Sequence, residues 1–244
     1  MITKRVLAIA LAGAMCLAVP AAYAGVVVKG VDTSSFPVLR VSVLTSDPSS
    51  QPPGLRENGK RVRIERAENL GAEKSVVLAI DRSQSMRGAP LANAVAAARS
   101  FLASKPAADR LAVASFATKP QILTDFSTER SDLDGALSAI EVDPVQGTTL
   151  YDAIVRASNT LASEALEARV IIAVTDGNET RSSASLNEAI AAARKARTAI
   201  YVVAIESAKF NPSPLRKLAE QTGGAYHGTS SSPALTAEYA TIAA

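Results

Sequence analysis

"SVVLAIDRSQSM", residues 75–86, joins an unbroken apolar run, Val76 to Ile80, to a polar stretch in which Asp81, Ser83 and Ser85 take alternate positions. A short apolar run of this kind, bounded by polar sequence, reads as a strand buried on both faces, as in a parallel sheet covered by helices. Its exit is unusual. Asp and Ser are ordinary turn and helix-cap residues, so the triplet alone fits a capping turn as well as a ligand site. What surrounds it has to decide.

Two further runs repeat the pattern, "RVIIAV" at 169–174 and "AIYVVAI" at 199–205. Helical spacing separates them. Leu91, Val95, Ala98 and Leu102 recur at one helical face behind Pro90, and Leu150, Ile154, Ala157 and Leu161 at another. Ser131-x-x-Asp134 and Ser185-x-x-Glu188 read as capping boxes opening two more helices, the second running to about Arg197. Ser213-Pro214 opens a helix that Gly223 ends, and Ser232-Pro233 opens the last. "RLAVASFA" and "QILTDF" read as two strands joined through the tight "TKP" turn, so one edge strand is expected to be antiparallel. Strands alternating with helices of this length predict right-handed crossovers and an α/β fold with a doubly wound, mostly parallel, Rossmann-like sheet.

Residues 1–24 read as a secretory signal: Lys4 and Arg5, an apolar block, then Ala22-Tyr23-Ala24 before the expected cleavage point. Met15 before Cys16 argues against lipidation of that cysteine. The expected organisation is a signal peptide at 1–24, a small β-rich module at 25–72 and the α/β domain at 73–244, in a secreted or cell-envelope protein. Cys16, the only cysteine, leaves with the signal, so neither a disulfide nor a thiol nucleophile remains. Loss of Lys4 and Arg5, with no acid, lowers the formal net charge from +3 to +1, which gives no basic footprint for nucleic acid. A membrane would be reached only through an uncleaved signal or a segment beyond Ala244, where the last helix stops with no closing glycine.

In a doubly wound sheet, ligands bind beyond the carboxyl ends of the strands, where strand order reverses. "DRSQSM" follows one strand, "TDGNET" (175–180) another, and "QGTTLYD" (146–152) precedes a helix. Together they offer Asp81, Ser83, Ser85, Thr148 and Asp176, an all-oxygen donor set that points to a hard cation, Mg²⁺ first with Mn²⁺ or Ca²⁺ as substitutes. Two carboxylates balance one divalent charge. If neutral hydroxyls fill the inner positions, the metal keeps an electrophilic open position that an incoming carboxylate can take.

These motifs resemble the von Willebrand factor A domains and their metal-ion-dependent adhesion site, written D-x-S-x-S, a distant Thr and a distant Asp. Asp81-x-Ser83-x-Ser85 with Gly88 following, "GTTLYD" with Thr148, and "VTDGNET" with Asp176 match in order over residues 74–244; Gln146 departs from a second glycine often found before Gly-Thr. The resemblance implies Ser83, Ser85 and Thr148 as direct ligands and Asp81 and Asp176 acting mainly through water. It also implies that Thr148 and Asp176 exchange direct coordination between affinity states. The implied partner is a protein donating a Glu or Asp carboxylate, with Arg82, Gln84, Arg87 and Asn178 rimming the metal and the two arginines favouring an acidic surface.

Competing readings lack parts. "GLRENGKR" (54–61) imitates a phosphate loop, but Arg61 replaces the hydroxyl that would reach Mg²⁺ and no helix follows; Asn58-Gly59 reads instead as a type I′ hairpin. A phosphatase of the haloacid-dehalogenase type needs an acid where Ser83 stands. His227 is the only histidine, with no catalytic constellation around it, so the chain is read as a binding protein and not an enzyme. The second reading is the extracytoplasmic sensor or assembly part of a longer protein of a secretion, pilus or channel-associated system; a metal-dependent hydrolase ranks last. The sequon at Asn178-Glu179-Thr180 is taken as chance.

Overall fold

The computed structural model describes residues 26–32, 40–45, 54–64, 73–166, 168–177, 179–205 and 211–229. The expected signal at 1–24, the expected helix after Ser232 and Asn178 lie outside the described residues.

The N-terminal strands are β1 (Val26–Asp32) and β2 (Arg40–Thr45), an antiparallel pair with a bulge between Val28 and Gly30. Strands β3 (Arg56–Glu57) and β4 (Lys60–Arg61) form a second, two-stranded sheet. Asn58 at φ 49° and Gly59 at φ 79° supply the two positive φ angles of the type I′ turn between them, so the phosphate-loop imitation is a hairpin.

The α/β unit runs β5 (Lys74–Asp81), α1 (Ala89–Ser104), β6 (Arg110–Phe116), β7 (Pro120–Ile122), α2 (Arg130–Ser138), α3 (Leu150–Ala162), β8 (Ala168–Thr175), α4 (Leu186–Lys195), β9 (Thr198–Ile205), α5 (Ser213–Thr222) and β10 (Tyr226–Thr229). Its sheet has six strands in the order β10-β9-β8-β5-β6-β7, parallel except for β7 against β6. All eight residues of β5 are buried, as its apolar run requires of a central parallel strand.

Alternation along the strands divides the core. Val76, Leu78 and Ile80 with Val170, Ile172 and Val174 pack under Leu91, Ala98 and Leu102 of α1 and Leu133 and Leu137 of α2. Val77 and Ala79 with Ile171 and Ala173 pack under Leu150, Ile154 and Leu161 of α3, Ile190 of α4 and Leu218 of α5. The chain thus leaves β5 for one face of the sheet and leaves the neighbouring β8 for the other. The pair β5/β8 is the switch point, and its carboxyl ends carry Asp81 and Asp176.

Three local expectations need correction or extension. The Ser131/Asp134 box does not form: α2 begins at Arg130 with Glu129 at its N-cap and no side-chain cap bond. Asp134 instead takes the Nε of Arg99 at 2.7 Å, and Ser127 Oγ receives the Glu129 N–H at 3.0 Å while donating to Asp132 at 2.9 Å. The edge strand is antiparallel as expected but ends at Ile122, because Thr124 Oγ1 accepts the Val113 N–H at 2.9 Å in place of a ladder carbonyl. The tail "AYHG" provides a sixth strand, β10, which places His227 in the sheet. The Ser185/Glu188 box is present, and Gly223 at φ 85° closes α5.

Ile154 is fully buried on the α3 face that seats the Thr148 loop against the sheet. Ile154→Ala is expected to lower stability by about 3 kcal/mol through lost packing and a residual cavity, read as an earlier urea midpoint at unchanged slope.

Candidate metal centre

Strand parity sets the first half of the site. Asp81 shares the α3 side of the sheet with Val77 and Ala79, and Thr175 shares it with Ile171 and Ala173. The Ile80↔Val174 register brings these two residues side by side at the ends of their strands. Asp81 is fully buried; its Oδ2 accepts the Thr175 hydroxyl at 2.7 Å and its Oδ1 the Ser83 N–H at 2.8 Å. Thr175 Oγ1 also accepts the Gly177 N–H at 2.9 Å, so one hydroxyl orients both the first aspartate and the turn bearing the second. Ser83 is extended and buried, and a single 3₁₀ turn, Gln84–Met86, brings Ser85 back so that the two Oγ atoms lie 3.1 Å apart. Met86, fully buried, anchors that turn.

The second half comes from two loops stitched together. Thr148 is buried; its N–H donates to Thr180 Oγ1 at 3.0 Å, and its carbonyl accepts the N–H groups of Thr180 at 3.1 Å and Arg181 at 3.0 Å. Glu179 accepts from Tyr151 N at 3.1 Å, Arg181 N at 2.8 Å, and Ser182 N and Oγ at 2.7 Å each. Asp152 returns the contact by accepting from Ser183 N and Ala184 N. The segment after Asp176 and the start of α3 therefore form one hydrogen-bonded body.

Ser83 thus contacts both Asp81 and Ser85, Asp176 follows the strand paired with theirs, and Thr148 is tied to the segment leaving Asp176. Burial, opposed by the hydrogen bonds from Ser83 and Thr175 and reinforced by the charge of Asp176, pushes the Asp81 carboxyl up to about 6. Asp176 is buried as well, and among the described residues no donor reaches its Oδ1. A buried carboxylate oxygen without a donor, beside a second buried carboxylate, is costly unless a cation compensates both. No group of three or more His, Cys, Asp or Glu side chains suited to a metal occurs among the described residues. The donor set here is two carboxylates plus hydroxyls, which fits a hard divalent cation and neither Zn²⁺ nor Cu.

The rim differs from expectation. Arg82 is already paired within the domain: its guanidinium pairs with Asp143 at 3.5 Å and donates to the Glu141 carbonyl at 3.3 Å. Gln84 is spent on the Pro144 carbonyl, while Arg87 is exposed. Asp143 also accepts from Thr118 Oγ1 at 2.8 Å and Val145 N at 2.9 Å, and its own N–H donates to the Arg82 carbonyl at 2.8 Å. Thr175, Asp143, Glu179 and Thr180 were not singled out from sequence. Thr175 alone carried a signal, its parity with Asp81 across two aligned strands.

Residues 76–179 match the family model of the von Willebrand factor type A domain. No curated protein matches the sequence. Among solved structures, the chain is similar to the conserved hypothetical protein BatB of Bacteroides thetaiotaomicron (20% identity, TM-score 0.58, 69% of this chain and 96% of that one). It is also similar to a von Willebrand factor type A protein of Catenulispora acidiphila (17%, 0.62, 70% and 42%). A third is the vWF domain of the type V pili tip protein Mfa5 of Porphyromonas gingivalis (15%, 0.57, 70% and 95%). These structural likenesses bear on fold, and they agree with the helix-flanked, mostly parallel sheet. The family match spans β5 through the Asp176 turn, and the α/β unit is similar in fold to von Willebrand factor type A domains.

Proposed function

We propose that this domain captures a protein partner through a divalent cation, Mg²⁺ first and Mn²⁺ or Ca²⁺ as substitutes. Ser83, Ser85 and Thr148 would bind the ion directly, and Asp81 and Asp176 would hold it mainly through water. An acidic side chain of the partner would complete its coordination. The observation that supports this most is the donorless Oδ1 of buried Asp176 beside buried Asp81. That anionic pair costs stability when alone and is relieved by a cation. The role is adhesion or assembly, not catalysis, in a secreted or cell-envelope setting. A place within a longer envelope assembly is the second reading, favoured by the similarity to a domain of a pilus tip protein.

Isothermal calorimetry of the full chain with Mg²⁺ and Mn²⁺ tests the centre. Heat of binding is expected for the wild type, with affinity at least about tenfold weaker in Asp81→Ala/Ser83→Ala. An absent signal, or one undiminished in the variant, would remove the metal from the mechanism.

The raised carboxyl of Asp81 gives a second test. Because its folded value, about 6, lies above the reference 3.8, the folded chain binds that proton more tightly than the unfolded chain. Its contribution to stability is complete below 3.8 and is lost as pH rises through about 6, on the order of 3 kcal/mol without metal. In chelator at pH 7.5, Asp81→Asn is expected to unfold at higher urea than the wild type, and Mg²⁺ to stabilise only the wild type. Mg²⁺ affinity should fall below about pH 6 as the proton competes. A variant less stable than the wild type in chelator would contradict this.

A further inference from the structure

Arg181 lies beside the Thr148 loop. Its backbone N–H donates to the Thr148 carbonyl at 3.0 Å and to Glu179 Oε1 at 2.8 Å. Its side chain lies across the loop at buried Gly147: a Cβ built on that glycine would meet Arg181 Cδ at 2.3 Å, Nε at 2.9 Å and Cγ at 3.1 Å. The absent side chain of Gly147 leaves room for the arginine stem there, one residue from Thr148. Arg181 is exposed, and among the described residues no carboxylate pairs with it. The acids of the two stitched loops and of the cation site are committed elsewhere. Glu179 holds its four donors, Asp152 holds the backbone of Ser183 and Ala184, and Asp81 and Asp176 belong to the cation site.

We propose that Arg181 is a second recognition point for the acidic partner: one carboxylate completes the cation, and a neighbouring carboxylate of the same surface pairs with the Arg181 guanidinium. This rests on the cation-dependent reading above and adds the partner's chemistry, a paired acidic motif rather than a lone acid. Two aspartates against one divalent ion leave the centre neutral, and the Arg181 guanidinium sets a positive charge beside it that can meet a second carboxylate of such a surface. The backbone of Arg181 is held by two bonds and its stem lies against the Gly147 loop, so pairing costs less ordering than for a side chain free along its whole length.

The test measures binding of fluorescein-labelled poly-L-glutamate to the full chain by anisotropy, in Mg²⁺ and in chelator at constant ionic strength. Calorimetry with Mg²⁺ alone runs beside it. Arg181→Gln is expected to weaken polymer binding in Mg²⁺ by about fivefold or more while Mg²⁺ affinity stays unchanged, with Arg181→Lys recovering only part and Arg87→Gln losing much less. Polymer binding equal to wild type in Arg181→Gln, an equal loss in Arg87→Gln, or no binding to the wild type in Mg²⁺ would each overturn the proposal. Failure of the cation reading shows separately, as absent Mg²⁺ heat and polymer binding indifferent to chelator.

Discussion

The buried carboxylate of Asp81 is the constraint around which the domain is arranged. It ends the central strand, fully buried, with one oxygen fixed by the Ser83 N–H and the other by the Thr175 hydroxyl from the neighbouring strand. Each bond depends on sheet register: slip β8 by one residue and Thr175 turns to the opposite face, leaving the carboxylate short of a donor. Eight buried residues of β5 and the two helical layers packed on them secure that register. The fold thus tolerates a group that lowers its own stability at neutral pH, which is the usual relation between a functional site and the scaffold that carries it.

The rest of the centre is held by polar stitching rather than by apolar packing. Thr148 and the segment after Asp176 share the bonds through Thr180, Arg181 and Glu179, and Ser182 and Asp152 extend them into the first turn of α3. An exchange of coordination between Thr148 and Asp176, such as the family resemblance implies, has to work within this body. Sliding one loop past the other would break the Thr148 bonds to Thr180 and Arg181, the Tyr151–Glu179 bond and the Asp152 bonds to Ser183 and Ala184, a cost of about 1–3 kcal/mol for each group stranded. A change of state that moves both loops together and alters their position against Ser83 and Ser85 avoids that cost.

Much of this was legible because the signals were local and periodic. The apolar runs of β5, β8 and β9, the helical spacing of Leu91 to Leu102 and of Leu150 to Leu161, and the Asn58-Gly59 turn each rest on neighbouring residues alone. The neighbourhood of Asp81, Ser83 and Ser85 with the Asp176 turn was legible because the switch-point rule gathers strand exits at one rim. What stayed hidden was pairwise and distant in sequence: Arg82 with Asp143, Thr148 with Thr180, Glu179 with Tyr151. Ser131 and Asp134 failed for a related reason, since a short motif cannot reveal that Arg99 on another helix has claimed its acid. Arg82 and Arg181 look equally available in the sequence, and only the fold shows which is neutralised.

The surface adds a constraint on how a partner could bind. Val62 and Val145 are the large hydrophobic side chains exposed among the described residues, and of these Val145 lies on the loop leading to Thr148. The edge strand β7 is short and opens with Pro120, which limits pairing with an incoming strand. With few large apolar side chains exposed among the described residues, a partner meeting them would gain little affinity from the hydrophobic burial that drives most protein association. Binding in the proposed mode would draw its strength from the cation–carboxylate contact and from the charge around it, interactions that vanish with the metal and weaken with salt. An interface of that kind would be gated by cation supply, since few large apolar side chains are exposed among the described residues to hold the partner once the ion is gone.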